Sequence, residues 1–334
     1  MKKFLRNIVL ACMIVFFAVA LSGCGGKTAT EKAEKPVAKT PLTVHYGYQP
    51  GHVQIVVARE MGWLKEEFEK DEITFELEKF ASGPAMNEAF AGNRIDFGQV
   101  GDQPAIQLKS NNVDVKAIGV YSNGTKITGL IAANGANINS PADLKGKKVG
   151  FVVGSVSHQL LYIYLKSAGL KPNDIQQVNL ASSDILSSIA SNHIDAAVIW
   201  EPTLSNVVAS GAGKLVTDAT GYKENINVIV GRSEFLSKYP DITVRLLKVL
   251  DRAEKWIKAN PDKALEIIAK NSGFKPEVLR PGFENVIFDL RLTDEAVKSI
   301  AETAVFLKEN KLIRNDVNVK DFVDDQYLKA AGIQ

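Results

Sequence analysis

The chain alternates short runs of apolar and β-branched residues with stretches in which apolar positions recur every three to four residues. The short runs predict strands, and the longer periodic stretches predict helices. The first predicted strands are residues 42–48, 73–80, 95–99 and 113–121. The helices predicted between them are residues 53–60, 84–91 and 104–110. This alternation predicts βαβ units and a mostly parallel sheet, and therefore an α/β fold.

The same pattern recurs about 100 residues later. Residues 81–83 (Ala-Ser-Gly) open a helix that is followed by Asp96, and residues 181–183 (Ala-Ser-Ser) open another that is followed by Asp195. A chance similarity between two generic βα units is the alternative. We interpret the repetition as two similar lobes.

Two further apolar stretches, residues 127–133 and 226–231, resemble strands that pass from one lobe to the other. A double crossing makes the second lobe an insertion in the first and produces a two-strand hinge. The predicted boundaries are residues 42–132 and 228–334 for lobe 1 and residues 133–227 for lobe 2. The helices predicted to complete lobe 1 are residues 242–257, 261–270 and 293–309.

The N-terminus has the pattern of an export signal. Lys2, Lys3 and Arg6 precede an apolar run of about 14 residues, which is short of the roughly 20 that span a bilayer. The residues that end at Cys24 (Leu-Ser-Gly-Cys) resemble the bacterial lipobox, in which the cysteine is lipidated. We therefore predict a lipoprotein signal peptide at residues 1–23 and a flexible tether at residues 24–41. A plain signal peptide with a chance cysteine is the alternative.

Composition and charge exclude several classes of protein. Hydrophobic residues make up 46% of the chain and charged residues 23%, which is ordinary for a globular protein. The net charge is +2, and without residues 1–23 there remain 37 basic and 38 acidic residues, so a nucleic-acid partner is not expected. Cys12 and Cys24 are the two cysteines, and the four histidines are scattered. We therefore expect no metal site and no cofactor.

The loops that follow the predicted strands are rich in Gly, Ser and Pro and contain no Lys or Arg. Ligands of open α/β sheets bind at such loops, and helix N-termini there can hold an anion without a basic residue. The candidate ligand-binding residues are Gln49, His52, Ser82, Gly83, Gly101, Asp102, Gly154, Ser155, His158, Trp200 and Glu201. Each residue alone fits an ordinary cap, turn or core position. Their recurrence in both lobes favours a binding cleft.

The loop motifs resemble those of the aliphatic-sulfonate, taurine and nitrate solute-binding proteins of bacterial ABC importers. The similar stretches are residues 46–51, 80–84, 94–98, 143–149, 154–158, 194–202 and 306–309. The resemblance implies a type II periplasmic-binding-protein fold, with two α/β lobes, a two-strand hinge and a ligand cleft between the lobes. It also implies that the anionic group is contacted by Gln49, Ser82, Gly83, Gly154 and Ser155, and extends this role to His158 and Trp200.

We therefore expect an exported, lipid-anchored, monomeric binding protein that delivers a small anion to the permease and ATPase subunits of an ABC importer. If Asp102 and Glu201 face each other across the cleft, they would attract an amino group, which favours the sulfonate taurine. Nitrate, bicarbonate and a thiamine-pyrimidine precursor remain alternative ligands.

Two other functions stay open. An enzyme could use Ser155 as nucleophile with His158 as base, or could resemble the pyrimidine synthases of thiamine biosynthesis. The second alternative function is that of a sensor domain that works without a transporter. We predict a binding protein that is not an enzyme and has no catalytic residues.

Overall fold

Two five-stranded sheets form the centre of the structure, a computed structural model that describes residues 41–334. The strands are β1 (Leu42–Tyr48), β2 (Ile73–Lys79), β3 (Phe97–Gly101), β4 (Val115–Gly124), β5 (Thr128–Ala133), β6 (Lys148–Phe151), β7 (Gln176–Asn179), β8 (Ala196–Trp200), β9 (Gly213–Asp218) and β10 (Asn225–Arg232). The first sheet has the order β2-β1-β3-β10-β4 and the second β7-β6-β8-β5-β9. The predicted two-lobed α/β fold is confirmed.

The helices cover both faces of each sheet. They are α1 (Val53–Glu60), α2 (Trp63–Phe68), α3 (Gly83–Ala91), α4 (Asp102–Ser110), α5 (Val156–Ser167), α6 (Ile185–Ala190), α7 (Thr203–Ala209), α8 (Ser233–Lys238), α9 (Pro240–Ala259), α10 (Pro261–Ser272), α11 (Pro276–Asn285), α12 (Asp294–Glu309), α13 (Val319–Phe322) and α14 (Gln326–Ala331). The helical period of α9 buries Leu246, Leu250, Ala253 and Ile257 on one face, against the first sheet. Within residues 41–334, none of the helices combines the length and apolar character needed to cross a bilayer.

The two sheets repeat one local design. In the first, Asp96 accepts a hydrogen bond from the His45 amide at 2.9 Å, which ties β3 to β1. In the second, Asp195 accepts one from the Lys148 amide at 2.7 Å, which ties β8 to β6. The repetition read from the sequence therefore corresponds to equivalent elements.

The crossing between the sheets differs from the expected boundary. The sequence pattern places residues 128–132 in lobe 1, but β5 pairs with β8 and β9 of the second sheet. Conversely, β10 begins at Asn225 and pairs with β3 and β4 of the first. Every residue of β5 is buried, so its apolar pattern suits a central strand of either sheet and cannot indicate which one. The crossings are thus residues 125–127 and 219–224.

The crossing segments contact each other directly. The Thr125 and Thr220 hydroxyls lie 2.9 Å apart, and the Ala219 amide donates to the Thr125 carbonyl at 3.0 Å. The hinge therefore consists of two hydrogen-bonded segments. The predicted signal peptide, Cys24 and the tether up to residue 40 lie outside the described residues.

Candidate functional site

A cavity of about 120 Å³ lies between the two lobes, at the carboxyl ends of β1, β3 and β8. One water needs roughly 10 to 15 Å³, so this cavity has room for a small organic ion. Seven of the predicted residues line it: Gln49, His52, Gly83, Gly101, Ser155, Trp200 and Glu201. The other four, Ser82, Asp102, Gly154 and His158, do not.

Three helices of at least nine residues begin at this cavity. Helix α3 starts at Gly83 and is capped by Ser82, whose hydroxyl accepts the Ala85 amide at 3.5 Å. Helix α4 follows Gly101, and α5 follows Ser155. The partial positive charges of helix N-termini favour anions, and three of these N-termini meet at the cavity. None of the described residues that line the cavity is Lys or Arg.

In lobe 2, Ser155 is held by its own helix. Its hydroxyl donates to the Val152 carbonyl at 2.8 Å and accepts the Ser157 amide at 3.2 Å. His158 lies behind this loop, where Nδ1 accepts the Gly154 amide at 3.3 Å and the ring packs against Phe151. Burial lowers the pKa of His158 to about 4, so the ring is neutral. Ser155 therefore reaches the cavity, while His158 supports the loop from within the lobe.

Asp102 and Glu201 do not face each other across the cavity, so the arrangement that would favour taurine is not present. Asp102 is fully buried, and its Oδ2 accepts hydrogen bonds from Lys223 Nζ and Thr303 Oγ1, both at 2.6 Å. Glu201 lines the cavity, but its two oxygens accept the Ser205 amide and hydroxyl at 3.1 and 2.8 Å. Burial raises the pKa of Glu201. The sequence could not show that Lys223, 121 positions away, pairs with Asp102.

Glycine residues bring the lobes together. A Cβ on Gly101 would lie 2.5 Å from Val156 Cγ1, and a Cβ on Gly282 would lie 2.7 Å from Glu201 Cγ. Each contact joins an element of lobe 1 to one of lobe 2. The Ser182 hydroxyl also donates to the Ala81 carbonyl at 3.2 Å across the cleft. The lobes are therefore closed on each other.

Sequence reasoning missed two groups of lining residues. The strands beside the hinge contribute Tyr121, Ser122, Thr128, Asn225 and Asn227. Helices α10 and α11 with the segment after them contribute an apolar wall of Leu265, Ile268, Leu279, Phe283 and Val286. The predicted site residues all come from loops that the sequence predicts to open helices, so the residues within predicted strands were not among them. The apolar wall has the sequence pattern of ordinary core, because periodicity cannot tell a helix face that meets a cavity from one that meets a sheet.

The two α/β lobes, the double crossing and the closed cleft define a two-lobed solute-binding protein of the periplasmic type. The chain belongs to the NMT1/THI5-like family, whose model matches residues 49–264. It is 32% identical to a putative aliphatic sulfonates-binding protein of Bacillus subtilis (strain 168), over 98% of this chain and 96% of that protein. It is 28% identical to the taurine-binding periplasmic protein of Escherichia coli (strain K12), over 71% of this chain and 78% of that protein.

Solved structures share the fold. The periplasmic aliphatic sulphonate binding protein SsuA from Escherichia coli matches with a TM-score of 0.75 at 26% identity, covering 86% of this chain and 93% of that chain. The desulfurization enzyme DSZB matches with a TM-score of 0.65 at 17% identity, over 86% of this chain and 98% of that one. The likeness to DSZB concerns the fold alone.

Proposed function

We propose that this protein is the extracytoplasmic solute-binding component of an ABC importer, and that it captures an organic sulfonate and delivers it to a permease. The observation that carries the proposal is the convergence of the α3, α4 and α5 N-termini on one cavity without Lys or Arg among its described lining residues. Neutral donors and helix dipoles suit a weakly basic oxyanion, and the named relatives bind sulfonates or taurine.

The apolar wall favours a ligand that has an apolar part. The side chains of Leu279 and Phe283 offer a large apolar surface, whereas nitrate and bicarbonate have no apolar part to bury. The case for taurine depends on two carboxylates that receive its amino group, but Asp102 is buried and paired with Lys223, so of these two carboxylates Glu201 alone lines the cavity. We therefore rank an alkanesulfonate above taurine. A thiamine-pyrimidine precursor has no observation that favours it.

Isothermal titration calorimetry of the purified protein against butanesulfonate, hexanesulfonate, taurine, nitrate, bicarbonate and a hydroxymethylpyrimidine tests the proposal. We expect binding of the alkanesulfonates, weaker binding of taurine and none of the inorganic anions. At 100 times its dissociation constant, a ligand also stabilises the protein by about 2.7 kcal/mol, a clear shift in melting temperature. Binding of the pyrimidine alone would contradict the proposal.

An enzymatic role has little support from the residues. The Ser155 hydroxyl donates to Val152 and His158 Nδ1 accepts from Gly154, so the two side chains do not form a nucleophile–base pair. Among residues 41–334, no group of three or more acidic, His or Cys side chains is placed to hold a metal. We propose binding and release as the whole activity.

We also propose export, lipidation at Cys24 and function as a monomer beside the membrane. Expression of the Cys24→Ala variant and the wild-type protein in a bacterial host, followed by membrane fractionation and mass spectrometry of the N-terminal peptide, tests the anchor. Membrane-bound wild type and released variant are expected. Equal fractionation of the two would contradict lipidation.

A further inference from the structure

One hydroxyl group at the cavity, that of Tyr121, forms a hydrogen bond with a neighbouring histidine, His52. His52 is buried, and its Nδ1 accepts the backbone N–H of Gln49 at 2.8 Å. Since a backbone amide can only donate, Nδ1 carries no proton. Burial lowers the pKa of His52 to about 3, so the ring is neutral and its single proton is on Nε2.

The position of that proton fixes the role of Tyr121. His52 Nε2 lies 2.8 Å from the Tyr121 hydroxyl oxygen, so Nε2–H donates and the oxygen accepts. Burial raises the pKa of Tyr121, against the opposing effect of a hydrogen bond with Ser122, and the phenol keeps its proton. The Tyr121 hydroxyl therefore still has a hydrogen to donate.

The surroundings leave this hydrogen for a ligand. Tyr121 and Ser122 both line the cavity. The Ser122 hydroxyl oxygen accepts a hydrogen bond from Asn227 Nδ2 at 3.1 Å. The Tyr121 and Ser122 hydroxyls share one hydrogen bond. If Ser122 donates it, the hydrogen of Tyr121 is free. If Tyr121 donates it, the hydrogen of Ser122 is free. In either arrangement one hydroxyl hydrogen of the pair is available where the cavity begins.

We propose that the Tyr121 hydroxyl, together with Ser122, donates a hydrogen bond to the anionic group of the ligand, and that His52 is a positioning residue that maintains this donor role. The inference rests on the proposed function and adds a specificity-determining residue to it. It also changes the expected role of His52, because both of its ring nitrogens have protein partners and neither is left for the ligand.

Titration calorimetry with hexanesulfonate on the full chain tests the donor. Because hydrogen bonds to charged groups are strong, Tyr121→Phe should weaken binding by about tenfold to a hundredfold. Tyr164→Phe is the matched control, since that buried hydroxyl donates to the Thr217 carbonyl at 3.4 Å within lobe 2 and does not line the cavity. The control should keep wild-type affinity, and melting temperatures should verify that both variants fold.

The positioning role of His52 has its own readout. His52→Gln keeps an N–H for Tyr121 and should retain most of the affinity, whereas His52→Met should lose it. Because residues of one network are not additive, adding Tyr121→Phe to His52→Met should weaken binding little further. Nitrogen NMR of labelled histidine should detect the Nε2–H form from about pH 5 to 8, since the ring stays neutral well above its lowered pKa.

The outcomes separate the two proposals. If the wild type binds hexanesulfonate and Tyr121→Phe binds it equally well, the donor role is overturned while the proposed function stands. If the losses from His52→Met and Tyr121→Phe add fully, the positioning role is overturned. If the wild type binds none of the sulfonates, the proposed function falls and this inference falls with it.

Discussion

The two lobes share one strand order but use the acidic residue after their third strand in opposite ways. In lobe 1, Asp102 turns away from the cleft and pairs with Lys223 of the hinge segment and Thr303 of α12. In lobe 2, Glu201 stays on the cavity surface and binds the first turn of α7 through Ser205. One carboxylate thus stabilises the hinge and the other shapes the ligand wall. Equivalent positions in a repeated fold need not have equivalent functions.

Breaking the Asp102 pair should have the largest effect. Asp102→Ala leaves Lys223 buried without its partner, which costs about 3 to 5 kcal/mol of unfolding free energy. Urea denaturation measures the loss, and the double variant Asp102→Leu/Lys223→Met should recover most of it. If Asp102→Ala lowered the free energy of unfolding by less than Glu201→Ala does, the proposed difference between the two carboxylates would be contradicted.

The contact of Gly282 with Glu201 should affect closure. Gly282→Ala places a methyl group 2.7 Å from Glu201 Cγ, so overpacking destabilises the closed form by about 1 to 3 kcal/mol, or roughly fivefold to 150-fold in affinity. Calorimetry with hexanesulfonate measures it. Adding Glu201→Gly, which removes the Cβ at 2.9 Å as well as the Cγ, should restore much of the binding by removing the clash. If affinity stays lost in the double variant, the methyl group acts elsewhere.

The two serine caps sharpen the comparison further. Ser155→Ala removes both a cap and a bond to the Val152 carbonyl, and should cost about 1 kcal/mol of stability and weaken ligand binding. Ser82→Ala, which removes the cap of α3 in lobe 1, should cost less, because its cap distance is 3.5 Å. Thermal denaturation and titration calorimetry with hexanesulfonate compare the stability and affinity of the two variants. A larger loss for Ser82→Ala would reverse the expected order.

The smallest effect concerns pH. Burial raises the pKa of Glu201 in the folded state above its ordinary value of 4.5, which applies in the unfolded state. The folded form therefore binds the proton more tightly, and it loses stability as the pH rises from the unfolded-state pKa to the folded-state pKa. Glu201→Gln does not titrate and should gain stability relative to wild type between about pH 4 and pH 7. The exposed Glu284→Gln is the control. A difference that stays constant with pH would contradict the assignment.

Much of the site could be read from the sequence because it depends on local chemistry. Gly83 begins one helix and Ser155 precedes another, each after the end of a strand, and seven of the proposed residues do line one cavity. The failures involve partners far along the chain. Asp102 is 121 positions from Lys223 and 201 from Thr303, and no local pattern connects them.

The sequence by itself determined the alternation of strands and helices, the repeated lobe and the loops that open helices, since periodicity and capping act within a few residues. Only the tertiary structure decided that β5 belongs to the second sheet, that α10 and α11 contribute the apolar wall and that His52 lies within hydrogen-bond distance of Tyr121. A buried polar group needs a hydrogen-bond partner, and a buried apolar group needs packing contacts. Which residues provide them depends on how the whole chain folds, because the partners lie far apart in the sequence.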